Sequence, residues 1–122
     1  MVNLPYFYKK TLGWAYNNLG LQFKNQGAYD VALEYYERSL DIKYDINDEK
    51  GIAHCYLNIG VIFHTQGEFV NALNYYFKCL KLREKLGDKN GIAGTYNNIG
   101  AVYHYQDDYY FHQLMHLIKY QS

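Results

Sequence analysis

The sequence is poor in the features that would place it in most functional classes. It has one proline, Pro5, and two cysteines, Cys55 and Cys79, with neither a proline-rich linker nor a spaced cysteine framework. Both cysteines sit inside helical patterns, so they read as small buried thiols rather than a disulfide, and a reducing compartment suits them. Charge is missing as a signal too, because twelve basic residues balance twelve acidic ones and the two signs are mixed along the chain. Phosphate binding needs a sustained positive stripe, so nucleic acid is not an expected partner. No apolar run approaches the ~20 residues that span a bilayer, and the opening Met1–Lys10 has no signal-peptide pattern. The expectation is a cytoplasmic chain with no membrane partner. There is no strand pattern, no glycine-rich phosphate loop after a strand, and no serine or cysteine nucleophile with a positioned base, which argues against an enzyme and against a bound cofactor.

What is present is repetition. Gly51-Ile52-Ala53-His54-Cys55-Tyr56-Leu57-Asn58-Ile59-Gly60 returns as Gly91-Ile92-Ala93-Gly94-Thr95-Tyr96-Asn97-Asn98-Ile99-Gly100. A more diverged copy precedes both, Thr11-Leu12-Gly13-Trp14-Ala15-Tyr16-Asn17-Asn18-Leu19-Gly20. A fixed period of this length marks a stacked array of supersecondary units. Nearly half the chain is hydrophobic, enough for a core.

Each unit reads as a helical hairpin. In the first, Leu12, Tyr16, Leu19 and Phe23 recur at spacings of three and four, and Tyr29, Ala32, Leu33, Tyr36 and Leu40 give the partner helix its apolar stripe. Phe69, Ala72, Leu73, Tyr76 and Leu80 repeat that second stripe. Gly27 and Gly67 can close the first helices in a left-handed conformation, and Gly87-Asp88 and Asn47-Asp48 can end one unit and cap the next. The periodicity predicts helices over about 5–26, 29–46, 48–66, 69–86, 88–106 and 109–120. Gly60 shares a side with Tyr56 and Phe63, so the hairpin crossing is expected there against Ala72.

These residues resemble the tetratricopeptide repeat, whose aromatic, aliphatic-Gly and aromatic positions are held by Tyr16, Leu19-Gly20 and Phe23, and by Tyr56, Ile59-Gly60 and Phe63. Ala32 with Tyr36 and Ala72 with Tyr76 hold the family's second-helix positions. The period is forty rather than thirty-four and the closing proline is missing, as in the long repeats of Leu-Gly-Asn repeat proteins, kinesin light chains and bacterial multi-repeat sensory proteins. The resemblance implies an all-α, right-handed solenoid of three stacked hairpins. Residues 1–10 would be a lead-in and 11–122 one domain, with repeats 11–50, 51–90 and 91–122. The third repeat departs from the pattern: Asp107 replaces the turn glycine, and His112 and Gln113 replace the Ala-Leu pair. Phe111, Leu114, Met115 and Ile118 still describe an amphipathic helix over 109–120, expected to pack atypically and able to pair with or exchange between chains.

The family's first helices line an inner groove, where an asparagine ladder holds a peptide main chain. Asn18, Asn58 and Asn98 recur in register, with Asn17 and Asn97 beside two of them, and an amide offers both groups that a peptide unit pairs with. The resemblance makes these the backbone anchors and gives Trp14, His54, Lys24, His64, His104 and Tyr105 the shaping of side-chain selectivity. The competing reading is that the asparagines cross-link neighbouring helices. Lys24 is the one cation placed on this surface. His112 and His116 stand one turn apart, but the Glu of a zinc peptidase motif and a third ligand are both missing, so no metal is expected. The expected function is an interaction module for a peptide or extended protein segment. The alternatives are a self-associating piece joined through 109–120 and a sensor fragment of a longer signalling protein.

Overall fold

The computed structural model describes residues 3–120. Met1, Val2, Gln121 and Ser122 lie outside the described residues, and with them the outer ends of the expected lead-in and domain. Five helices follow one another: α1 (Tyr6–Asn25), α2 (Tyr29–Asp45), α3 (Glu49–Thr65), α4 (Phe69–Leu86) and α5 (Lys89–Tyr120). No strand occurs among the described residues.

The four turns share one construction. Gly27 and Gly67 take φ of +78°, Gly87 +68° and Asn47 +55°. At each, the next residue's N–H reaches back to a carbonyl of the last helical turn, as in Ala28 N–H to Phe23 O at 2.9 Å and Glu68 N–H to Phe63 O at 2.8 Å. A glycine or asparagine is needed because a Cβ is penalised in the left-handed region. The joints between repeats add a side-chain cap: Asp48 accepts from Gly51 N–H and Asp88 from Gly91 N–H, each at 3.0 Å. Asp88→Ala should therefore lower stability by about 1 kcal/mol, read as a shift in the urea midpoint at unchanged slope.

The hairpins pack where the smallest residues fall. A Cβ on Gly20 would stand 2.6 Å from the Tyr36 ring, and one on Gly60 2.6 Å from the Tyr76 ring and 3.3 Å from the Ala72 carbonyl. Those tyrosines, with Ala32 and Ala72, are buried at the centres of two apolar clusters that share Phe63, so one core runs through both hairpins. Ile99 and Val102 carry it into α5. Both cysteines are buried and free. Each packs against a hydroxyl, Cys55 against Ser39 at 3.7 Å and Cys79 against Thr95 at 3.6 Å.

The expected third hairpin does not form. Helices expected over 88–106 and 109–120 are one continuous α5 of 32 residues, and the turn expected near residue 107 does not form. Asp107 holds the register of Gly27 and Gly67 but carries a Cβ, so a left-handed turn costs more there than one further helical residue. His112 and Gln113 also remove the burial that a returning helix would gain. The fold is thus an all-α array of two closed hairpins followed by a long helix whose far half is exposed.

Candidate partner-binding face

The side chains that carry the candidate site are set by a forty-residue step from α1 to α3 to α5. Asn18, Asn58 and Asn98 occupy the same register, and all three are half-buried. Asn58 donates from Nδ2 to Asn17 Oδ1 at 2.9 Å, joining the first helices of repeats one and two. Leu57 holds the register of Asn17 on α3, so Asn98 has no such amide to bond. The three amides are therefore not equivalent, with one rung cross-linked within the array and the next lacking that partner.

The other expected residues divide into those brought together and those left apart. His64 is half-buried with its ring 5.5 Å from Tyr105 and 5.9 Å from Phe69, which ties α3, α4 and α5 at one spot. Burial holds the His64 imidazole below its ordinary pKa. Trp14 and Tyr105 are exposed over 66% and 62% of their surfaces, large apolar areas available to a partner. Lys24 is half-buried and Asn97 exposed. His104 stands on the projecting part of α5, Nε2 3.4 Å from Asp108 Oδ2, apart from the other groups.

His54 identifies residues that the periodicity did not bring forward. It sits at a concavity of about 270 Å³ with Lys43, Gly51, Arg83 and Asp88. The residue as a whole is exposed, yet the crowding of its imidazole in this recess, and then the Lys43 and Arg83 cations, lower its pKa. Lys24 is thus not the one cation near the candidate face. Arg83 donates from Nη1 to Gly91 O at 3.0 Å and to Thr95 Oγ1 at 2.8 Å, which fixes its guanidinium at the joint between repeats. The signal was present in the sequence as a cation at the same register in two copies, Lys43 and Arg83, each five residues before a capping Asp.

A larger cleft of about 1190 Å³ lies between the repeats, with Tyr44, Ile46, Tyr56 and Leu82 among its walls and none of the three asparagines. Among the described residues no group of three or more His, Cys, Asp or Glu is placed to hold a metal ion. His112 and His116, the pair at metal-compatible spacing, are both exposed. No described helix is long and apolar enough to cross a membrane.

Comparison with known proteins gives two findings. The pattern that defines the tetratricopeptide repeat matches residues 11–85 and, in an overlapping placement, 51–110. Among solved structures, BtubC (BKLC) from P. vanneervenii is similar, with 28% identity and a TM-score of 0.72. The similarity covers 88% of this chain and 44% of that one, so the sequence spans less than half of that structure's length. No curated protein matches the chain.

Proposed function

Because the chain belongs to the tetratricopeptide repeat family, whose repeats generally mediate protein–protein interaction, we propose that it holds an extended peptide segment along α1, α3 and α5. The reading is supported chiefly by one observation: a half-buried amide at the same register on each of the three first helices. Successive amides of that kind suit an extended main chain, whose donors and acceptors also recur along its length. Asn98 is the primary anchor, since it has no counterpart of the Asn17–Asn58 bond. Asn58 keeps its carbonyl oxygen and a second N–H for the ligand while its first N–H goes to Asn17. Asn18 and the neighbouring Asn17 and Asn97 extend the polar track. Trp14, Lys24, His54, His64 and Tyr105 select among ligand side chains, and His104, set apart from them beside Asp108, takes no part. In this reading the chain binds and does not catalyse.

Peptide-library binding tests this with two variants. A net hydrogen bond contributes ~0.5–1.5 kcal/mol, so Asn98→Ala should weaken a selected peptide about three- to tenfold. Asn58→Ala should weaken it similarly and also lower stability slightly, through loss of the Asn17 bond. Unchanged affinity in the Asn98→Ala, Asn58→Ala double variant would remove the asparagine track from consideration.

A further inference from the structure

An unfilled socket and an unpacked helix lie on one face of α5. Gly100 holds the register of Gly20 and Gly60, but where those two abut the Tyr36 and Tyr76 rings, a Cβ on Gly100 would meet nothing within 4 Å. Beside it Tyr96 and Tyr103 are 55% and 47% exposed, whereas the equivalent Phe63 is stacked on Tyr75 at 5.7 Å. The first half of α5 is therefore shaped to receive a second helix that none of the described residues supplies.

The far half of the same helix carries what the socket needs. Phe111, Leu114, Met115 and Ile118 are all about half exposed and follow the spacing of a single helical stripe. At 100° per residue they lie within about 60° of Gly100 around the axis. Residues 104–120 also match α2, which has 17 residues, in length. One unbroken helix cannot fold this stripe onto itself, since Gly100 and Ile118 are separated by about 27 Å at 1.5 Å per residue.

A second copy of the chain can meet both requirements at once. Socket and stripe share one side and lie on either side of residues 104–107, so two α5 helices placed antiparallel about a two-fold axis each fill the other's socket. We infer that the protein is a homodimer in which α5 of each copy takes the place of the missing second helix in the third repeat of the other. The register follows from the residues. Phe111 of one copy enters the Gly100 notch of the other, as Tyr76 lies on Gly60, and this sets His104 of each copy opposite Asp107 of the other, an attractive pairing at the axis. The area is also sufficient. Six large side chains on this face, Tyr96, Tyr103, Phe111, Leu114, Met115 and Ile118, can each give up on the order of 100 Å². Counted over both copies that reaches ~1,200 Å², the size at which specific interfaces begin.

Light scattering after gel filtration of the whole chain provides the test. The wild type should show twice the chain mass of 14.4 kDa, and Phe111→Glu with Ile118→Glu should return it to the single mass with helical circular dichroism unchanged. A Gly100→Cys, Phe111→Cys variant should become covalently dimeric under mild oxidation. The wild type remaining at the single mass at its highest attainable concentration would overturn the inference, as would a dimer that survives the two glutamates. A doubly substituted cysteine variant that does not link between chains would do the same and assign the face to another occupant.

Discussion

Gly60→Leu is expected to lower the thermal midpoint sharply, because the site has no space even for its first carbon. A Cβ there stands 2.6 Å from the Tyr76 ring, and the ring cannot retreat, being fully buried among Ala72, Leu80, Ile99 and Val102. Inserting a larger side chain in a packed crossing costs ~1–3 kcal/mol or more, which at this chain length is about 4 °C of Tm for each kcal/mol. Gly94→Ala is the matched comparison. Gly94 lies inside α5 with nothing within 4 Å of its Cβ, so alanine should be neutral to stabilising by up to ~1 kcal/mol through helix propensity alone. Equal midpoints for Gly60→Leu and wild type, by circular dichroism, would contradict the hairpin register.

Alkaline pH should unfold the array through the same two tyrosines. Burial pushes Tyr76 up to about 12 from an ordinary 10, and burial, followed by the neighbouring Cys55, does the same for Tyr36. Below pH 10 both folded and unfolded chains hold these phenols protonated, so the stability associated with them is fully present. From 10 to about 12 the unfolded chain ionises while the folded chain does not, and stability falls across that window. Two groups shifted this far contribute on the order of 5 kcal/mol, close to the whole stability of many domains. The Tyr76 hydroxyl is buried without a hydrogen-bond partner. Tyr76→Phe should therefore be neutral or stabilising at neutral pH and should remove about half of the alkaline loss. Urea titrations followed by circular dichroism from neutral pH to pH 12 decide this, and a Tyr76→Phe profile parallel to wild type would show the phenol to be solvated.

Much of the fold was legible because it is written in residues that act locally. The turn glycines Gly27, Gly67 and Gly87 mark positions that need a left-handed backbone, and the structure places every one there. Gly60 and Ala72 were legible as a crossing because both fall on apolar stripes. The continuous α5 was harder to read. Phe111, Leu114, Met115 and Ile118 make an equally good amphipathic stripe whether the helix turns back or runs on, and periodicity does not register a turn. Asp107 was the available signal, a residue with a Cβ at a place where two earlier copies have none.

The candidate site was legible to a lesser degree, since a pattern gives register but not partners. Asn58 was found by its recurrence, while its bond to Asn17 depends on how α1 and α3 are offset in space. The grouping of Lys43, His54 and Arg83 arises because the joint between repeats folds the end of each second helix over the start of the next first helix.

The sequence by itself determined the first two helical hairpins, the forty-residue step and the turns within and between them, because each rests on a residue's own backbone preference or on the apolar spacing within one helix. Tertiary structure alone decided which amides are occupied and which cations gather at the joints. Those outcomes depend on distances between helices, and helix separation is set by side-chain volumes packed across the whole core rather than by any one segment.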